Sequence, residues 1–183
     1  ERESIVDVST IEPGDALSAL ASRGLHSNGF SLVRKLILEV GGHKLSDRVP
    51  QLGEATLESI LLTPTRIYVP SVLKLLSQFT IRGMAHITGG GLTENIPRML
   101  PSGCGAAIEL DSWRVPPIFR YLEQLGNLAP EESYRTFNMG VGFVLVVPQE
   151  EAATCIAAAQ ALGEQAWLLG EVVAGEGVVY RGR

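Results

Sequence analysis

Cysteine is scarce in this chain, and its two copies, Cys104 and Cys155, lie far apart with no CxxC pair and no histidine neighbour. A disulfide framework is therefore excluded, and buried free thiols in a reducing compartment are expected. Long apolar runs are missing as well: none reaches the roughly 18 residues that a membrane helix requires. Positive charge is not in excess, since 15 Lys and Arg face 20 Asp and Glu for a net charge of -5. That balance opposes a nucleic-acid binder, which would carry a basic stripe. The charged opening Glu1-Arg2-Glu3-Ser4-Ile5-Val6 has no apolar core of a signal peptide. The expectation is a soluble cytoplasmic protein with neither nucleic acid nor membrane as partner.

Several catalytic signatures are absent too. No lysine follows the glycine-rich segments, so there is no GxxxxGK[ST] phosphate loop, and Gly89-Gly90-Gly91-Leu92-Thr93-Glu94 lacks the last glycine of GxGxxG. No HExxH occurs, His26 and His86 have no metal-ligand spacing, and no metal site is expected. A nucleophile elbow needs glycine two residues before its serine, and Leu25 stands there before Ser27.

What is present is ordinary globular material, with 45% hydrophobic and 19% charged residues over 183 positions. That length suits one domain with a sizeable core. The chain opens on Glu1 without methionine and runs straight into a strand-like Ser4–Val8, which reads as a piece of a longer protein. Pro13 and Gly14 mark a turn. Ala16–Ala21 reads as a strand, and Phe30, Val33, Ile37 and Val40 share one helical face that Ser27 or Asn28 could cap and Gly41-Gly42 ends. A polar loop over 43–53 precedes a helix over 54–62. Tyr68–Phe79 is an amphipathic helix with Val69, Val72, Leu73 and Leu76 as its apolar face. Ile81–Ile87 reads as a buried strand, and 106–110 as another. Helices follow from Pro116 to about Leu125 and over 131–134, then the apolar strand 143–147 and an Ala-rich helix over 150–162. Strands over 166–173 and 178–180 close the chain as a hairpin. Strict βαβ alternation is missing, so the expected class is α+β, a mixed β-sheet flanked by helices in one domain over 1–183.

Two junctions have the makings of a site. At His86-Ile87-Thr88-Gly89-Gly90-Gly91, a strand stops at bare backbone and feeds a helix start. Free N–H groups and the positive end of a helix dipole suit an anion there. A tight turn needing positive φ is the plainer alternative. Gly24-Leu25-His26-Ser27-Asn28-Gly29 repeats the strand–loop–helix order with three polar side chains at its tip. Arg66, beside the next helix, is a solvated charge or a phosphate ligand. Arg135-Thr136-Phe137-Asn138-Met139-Gly140-Val141-Gly142 offers a third glycine-rich edge.

The segments 24–35, 64–69, 86–101 and 135–142, in this order, resemble the C-terminal half of the phosphoribosylformylglycinamidine cyclo-ligase (aminoimidazole ribonucleotide synthetase) family, essentially from Glu1 to the end. The His-Ser-Asn-Gly loop is shared more loosely with selenophosphate synthetase, thiamine-monophosphate kinase and HypE. The resemblance implies an enzyme that uses ATP and Mg2+ to close the imidazole ring of 5-aminoimidazole ribonucleotide from a phosphorylated ribonucleotide substrate. It implies a homodimer whose ATP and metal ligands lie mainly in an N-terminal domain absent from this chain, which alone would be inactive. Carried across, His26 and His86 become candidates for proton handling. Ser27, Asn28, Gly29, Gly89, Gly90, Gly91, Asn95, Arg135 and Asn138 become candidates for substrate contact. A related small-metabolite kinase or synthetase, or a non-catalytic binding or assembly module, are the competing readings.

Overall fold

Strand β4 (Val141–Val147) reads Val-Gly-Phe-Val-Leu-Val-Val, apolar on both of its faces. Such a strand is stable only where both faces are covered. In the computed structural model, which describes residues 6–182, it lies between β1 (Ala16–Ala21) and β2 (Gly83–His86). The other strands are β3 (Cys104–Glu109), β5 (Ala166–Ala174) and β6 (Val178–Arg181), and the sheet runs β2-β4-β1-β5-β3-β6. Every pairing is antiparallel except β3 with β6, which makes the sheet mixed.

Alternation along β1 and β4 divides the core into two layers. Leu17, Ala19, Val144 and Val146 face one layer, and Ala16, Leu20, Leu145 and Val147 the other. The larger layer holds α1 (Phe30–Arg34), α2 (Leu57–Leu61), α4 (Gly91–Asn95), α5 (Pro117–Gly126) and α6 (Pro130–Thr136). Phe119 and Phe137 are fully buried there with ring centroids 6.0 Å apart, each contributing about 1.5–3 kcal/mol by burial. Two helices cover part of the second face: α3 (Val69–Leu76) and α7 (Ala152–Ala161). The small side chains of Ala152, Cys155 and Ala159 let α7 settle closely on the strands. Cys104 and Cys155 are buried and free, as expected.

The expected class holds, and several local expectations are corrected. Residues 4 and 5 of the first expected strand lie outside the described residues, and Val8–Thr10 is a 3-10 turn capped by Asp7. α1 has no side-chain cap: Gly29 starts it in the left-handed region (φ 64) while the Asn28 amide turns inward, and the helix continues as a π turn, Lys35–Val40. Val40 is 56% exposed and does not join the buried face. β2 is an edge strand, not a buried one, with His86 exposed. On α3 the buried stripe is Val72 and Leu75, whereas Val69 and Leu73 are each 61% exposed.

The two last strands form no hairpin, because β3 lies between them. The loop Gly175–Gly177 passes over the start of β3, and the Gly175 and Ala106 amides donate to the Gly103 and Gly177 carbonyls. A short link can do this since adjacent strands are only about 4.8 Å apart. Opposite, the β1–β5 register shifts between Leu17 and Ser18, and Gly170 presses on β3 so closely that a Cβ would overlap the Ala107 carbonyl oxygen. Gly170→Ala should therefore lower stability by about 2–3 kcal/mol, read as a shift of the urea midpoint at unchanged slope.

Candidate functional site

The ends of β1, β2 and β4 bring four rings together. His26 follows β1, Tyr68 precedes α3, His86 ends β2 and Phe143 pairs with it on β4. The two imidazole centroids are 6.3 Å apart, and Tyr68 lies 6.2 Å from His26 and 6.0 Å from His86. Phe143 sits 5.4 Å from Tyr68 and 6.2 Å from His86. Tyr68 is fixed by its hydroxyl, which donates to the Ala21 carbonyl at 2.7 Å. The hydroxyl crosses Gly142, where any Cβ would collide with it. Burial, with the Glu164 carboxylate adding and Arg66 opposing, pushes this phenol above its ordinary range, so it remains a donor.

His26 is a constrained imidazole. Its backbone is left-handed (φ 52), and only 6% of the residue is exposed. Nε2 accepts from the Arg23 amide at 3.1 Å and the Arg66 amide at 3.4 Å. Those two donors require Nδ1 to carry the proton, and Nδ1 is buried without a partner among the described residues. Burial first, and the neighbouring His86 second, lower its pKa to about 4. His26 is thus a neutral hydrogen-bond donor near pH 7. His86, by contrast, is exposed.

Arg66 is neither a free surface charge nor a free anion ligand. Its Nε donates to Glu164 at 2.6 Å and its Nη2 to the Gly163 carbonyl, while Ser71 bonds the other Glu164 oxygen. Glu164 is 6% exposed, so this ion pair holds the start of α3 against the end of α7.

The remaining candidates divide by where their polar atoms point. Ser27 is exposed beside His26, and Gly89 is exposed with open space where a Cβ would go. Asn28 is buried and donates to the Ile87 carbonyl, tying the His26 loop to the end of β2. Asn95 grips its own loop: Nδ2 reaches the Thr88, Gly89 and Gly91 carbonyls and Oδ1 accepts from Thr88. Asn138, fully buried, bonds the Gly24 and Leu25 carbonyls, the Gly140 amide and the Ser22 hydroxyl. Arg135 is exposed and pairs with Glu94 at 3.0 Å. Gly29, Gly90 and Gly91 all need positive φ, and a Cβ on Gly91 would overlap the Tyr134 carbonyl. Of the glycine triplet, two members answer to backbone geometry and packing, and Gly89 alone is open. No group of three His, Cys, Asp or Glu able to hold a metal gathers among the described residues.

The sequence reading did not single out Tyr68, Phe143 or Glu164 for the site. Aromatic residues at the edge of apolar runs look like core, and Glu164 is far along the chain from Arg66. Gly142, placed where a strand would favour a side chain, was the available signal.

Residues 12–182 match the family model described as AIR synthase related protein, C-terminal domain. A phosphoribosylformylglycinamidine cyclo-ligase from Citrifermentans bemidjiense is 55% identical over 94% of this chain and 49% of its own length. The chain spans about half the length of the curated relatives it matches. Among solved structures, thiamine-monophosphate kinase from Stenotrophomonas maltophilia superposes with a TM-score of 0.67 at 18% identity, over 100% of this chain and 54% of that one. E. coli HypE gives 0.63 at 23% identity, over 96% and 48%. These distant likenesses show the shared fold alone.

The His26 geometry has a consequence for stability. An ordinary imidazole takes up its proton near 6.5, and His26 does so at about 4. As pH falls through that window the unfolded chain binds a proton that the folded chain refuses. Stability present above pH 6.5 is therefore lost towards pH 4, by on the order of 3 kcal/mol. Histidine ring NMR should show His26 still neutral at pH 5.5, and a His26 midpoint near 6.5 would refute the buried-donor assignment.

Proposed function

This chain belongs to the AIR synthase related protein family through its C-terminal domain, and from that premise we propose that it is the substrate-side domain, over 1–183, of a two-domain cyclo-ligase. The parent enzyme converts formylglycinamidine ribonucleotide and ATP to 5-aminoimidazole ribonucleotide, ADP and phosphate, in the cytoplasm and as a homodimer. The observation that carries this reading is the 55% identity to a cyclo-ligase along 94% of the chain. The paired imidazoles at the tips of β1 and β2 support it.

ATP with Mg2+ would supply the phosphoryl group that makes the formyl oxygen a leaving group. The side chains of this domain do not fit a metal, since no suitable acidic or imidazole cluster gathers among the described residues. We assign the nucleotide and metal ligands mainly to the other domain on the strength of the family resemblance, and no step is routed through them here. What this chain offers is positioning and proton handling. His26, neutral and held by two backbone amides, fixes the loop that carries Ser27, with its own Nδ1–H buried beneath the rim. The exposed Ser27 follows it in the same loop, and Asn28 ties that loop to the Ile87 carbonyl, two residues before the open backbone at Gly89. His86, the exposed imidazole, takes the proton from the amidine nitrogen as that nitrogen attacks the activated formyl carbon. Asn28, Asn95 and Asn138 hold the rim loops in shape, and Gly29, Gly90 and Gly91 give them their turns.

The test compares the isolated domain with the full-length protein. The domain alone should give no turnover of formylglycinamidine ribonucleotide. In the full-length enzyme His86→Ala should lower kcat by about 100-fold or more, with the larger effect on kcat than on KM. Turnover by the isolated domain would overturn the two-domain reading, and an unchanged kcat in His86→Ala would remove the proton role.

A further inference from the structure

Glu164 is a charged group in an unfavourable place. It lies in the link between α7 and β5, and its side chain is only 2% exposed. Its oxygens accept from Arg66 Nε at 2.6 Å and from the Ser71 hydroxyl at 2.7 Å. Taking such a pair out of water costs about as much as the pair returns, so hydrocarbon of similar volume would serve stability at least as well. What the pair adds is direction, because a planar guanidinium with two nitrogens committed can sit only one way. That direction is fixed from the α7 side. The Glu164 amide donates to the Ala159 carbonyl at 3.1 Å, and Gly163, left-handed at φ 85, turns its own carbonyl to Arg66 Nη2 at 2.9 Å. The effect reaches the rim through the main chain of the same arginine. The Arg66 amide is one of the two that hold His26 Nε2. Two residues on, the Tyr68 hydroxyl is bonded to Ala21, and the ring lies 6.0 Å from His86.

We propose that Glu164 is a positioning residue for the ring closure: by clamping Arg66 it sets the loop that carries His26 and Ser27 and the seat of Tyr68 beside His86. The proposal rests on the cyclo-ligase reading and extends its machinery to a buried side chain that no substrate can touch. A carboxylate with a structural role alone would change the melting temperature and leave the chemistry as it was. One that positions the rim changes the chemistry even where stability is kept.

The test is made in the full-length enzyme. In Glu164→Leu the Arg66 side chain, already 25% exposed, is free to swing into water. Turnover of formylglycinamidine ribonucleotide should lose about 10- to 100-fold in kcat, with kcat/KM falling alongside it, because alignment is lost and binding is not. A triple variant, Arg66→Met with Ser71→Ala and Glu164→Leu, replaces the whole clamp by hydrocarbon. It should melt at or above the temperature of the parent and show the same loss of kcat. In both variants ring NMR should find the His26 midpoint raised from about 4 toward 6.5, since one amide donor has left Nε2. Glu151→Gln, which disturbs the two bonds that hold Thr80 at the other end of α7, should change neither quantity. Parent kcat in Glu164→Leu or in the folded triple variant, a fall in kcat with the His26 midpoint unmoved, or an equal fall in Glu151→Gln would each overturn the proposal. Absence of turnover in the unmodified enzyme defeats the function instead, and the His26 midpoint in the variants still decides whether Glu164 governs the rim.

Discussion

The Tyr68 hydroxyl, bonded to the Ala21 carbonyl across Gly142, is the contact on which the arrangement depends. It ties the start of α3 to the end of β1 over a strand that has to be bare at that point. Everything at the rim follows from the resulting positions. Arg66, two residues before Tyr68, gives its backbone amide to His26 and its guanidinium to Glu164. The same short segment therefore fixes an imidazole tautomer through its main chain and anchors α3 to the α7 end through its side chain. A single misplaced methyl group at Gly142 would disturb all of these together.

The chemistry of the rim is divided between inward and outward groups. Most polar side chains of the glycine-rich loops are bonded inside the protein, and three asparagines bind loop carbonyls. An unsatisfied carbonyl inside a protein is costly, so loops rich in glycine, which contribute no side-chain partners of their own, need such clasps. The groups left to meet a ligand are few: the exposed His86 imidazole, the Ser27 hydroxyl and the open backbone at Gly89. A rim of this kind suits phosphoryl-transfer chemistry, where positioning counts for more than covalent work by the protein.

The parts of the fold that were legible in the sequence are those where period or composition has a single solution. β1 and β4 were readable as apolar runs, α5 from its proline start, and α7 from its alanine-rich run. What was hidden is non-local. Nothing near β5 or β6 in the sequence announces that β3 lies between them. The amphipathic period of α3 was legible but its buried face was not: Val72 and Leu75 face the sheet, while Val69, Leu73 and Leu76 line a groove, because amphipathicity does not say which body covers the stripe. At the site, His26 and His86 stood out by residue type. Tyr68 and Glu164 did not, because their roles arise from partners 47 and 93 to 98 positions away.

The central claim is that the imidazole rim at the ends of β1 and β2 faces the ribonucleotide. Peptide-mapped carbethoxylation of histidines in the full-length protein addresses it most directly, with and without formylglycinamidine ribonucleotide at a concentration that saturates turnover. Protection of exposed His86 by the ribonucleotide, with His43, which bonds the Tyr121 hydroxyl on α5, modified at an unchanged rate, is the predicted result. An equal rate at His86 with and without the ribonucleotide would contradict a substrate wall at this rim.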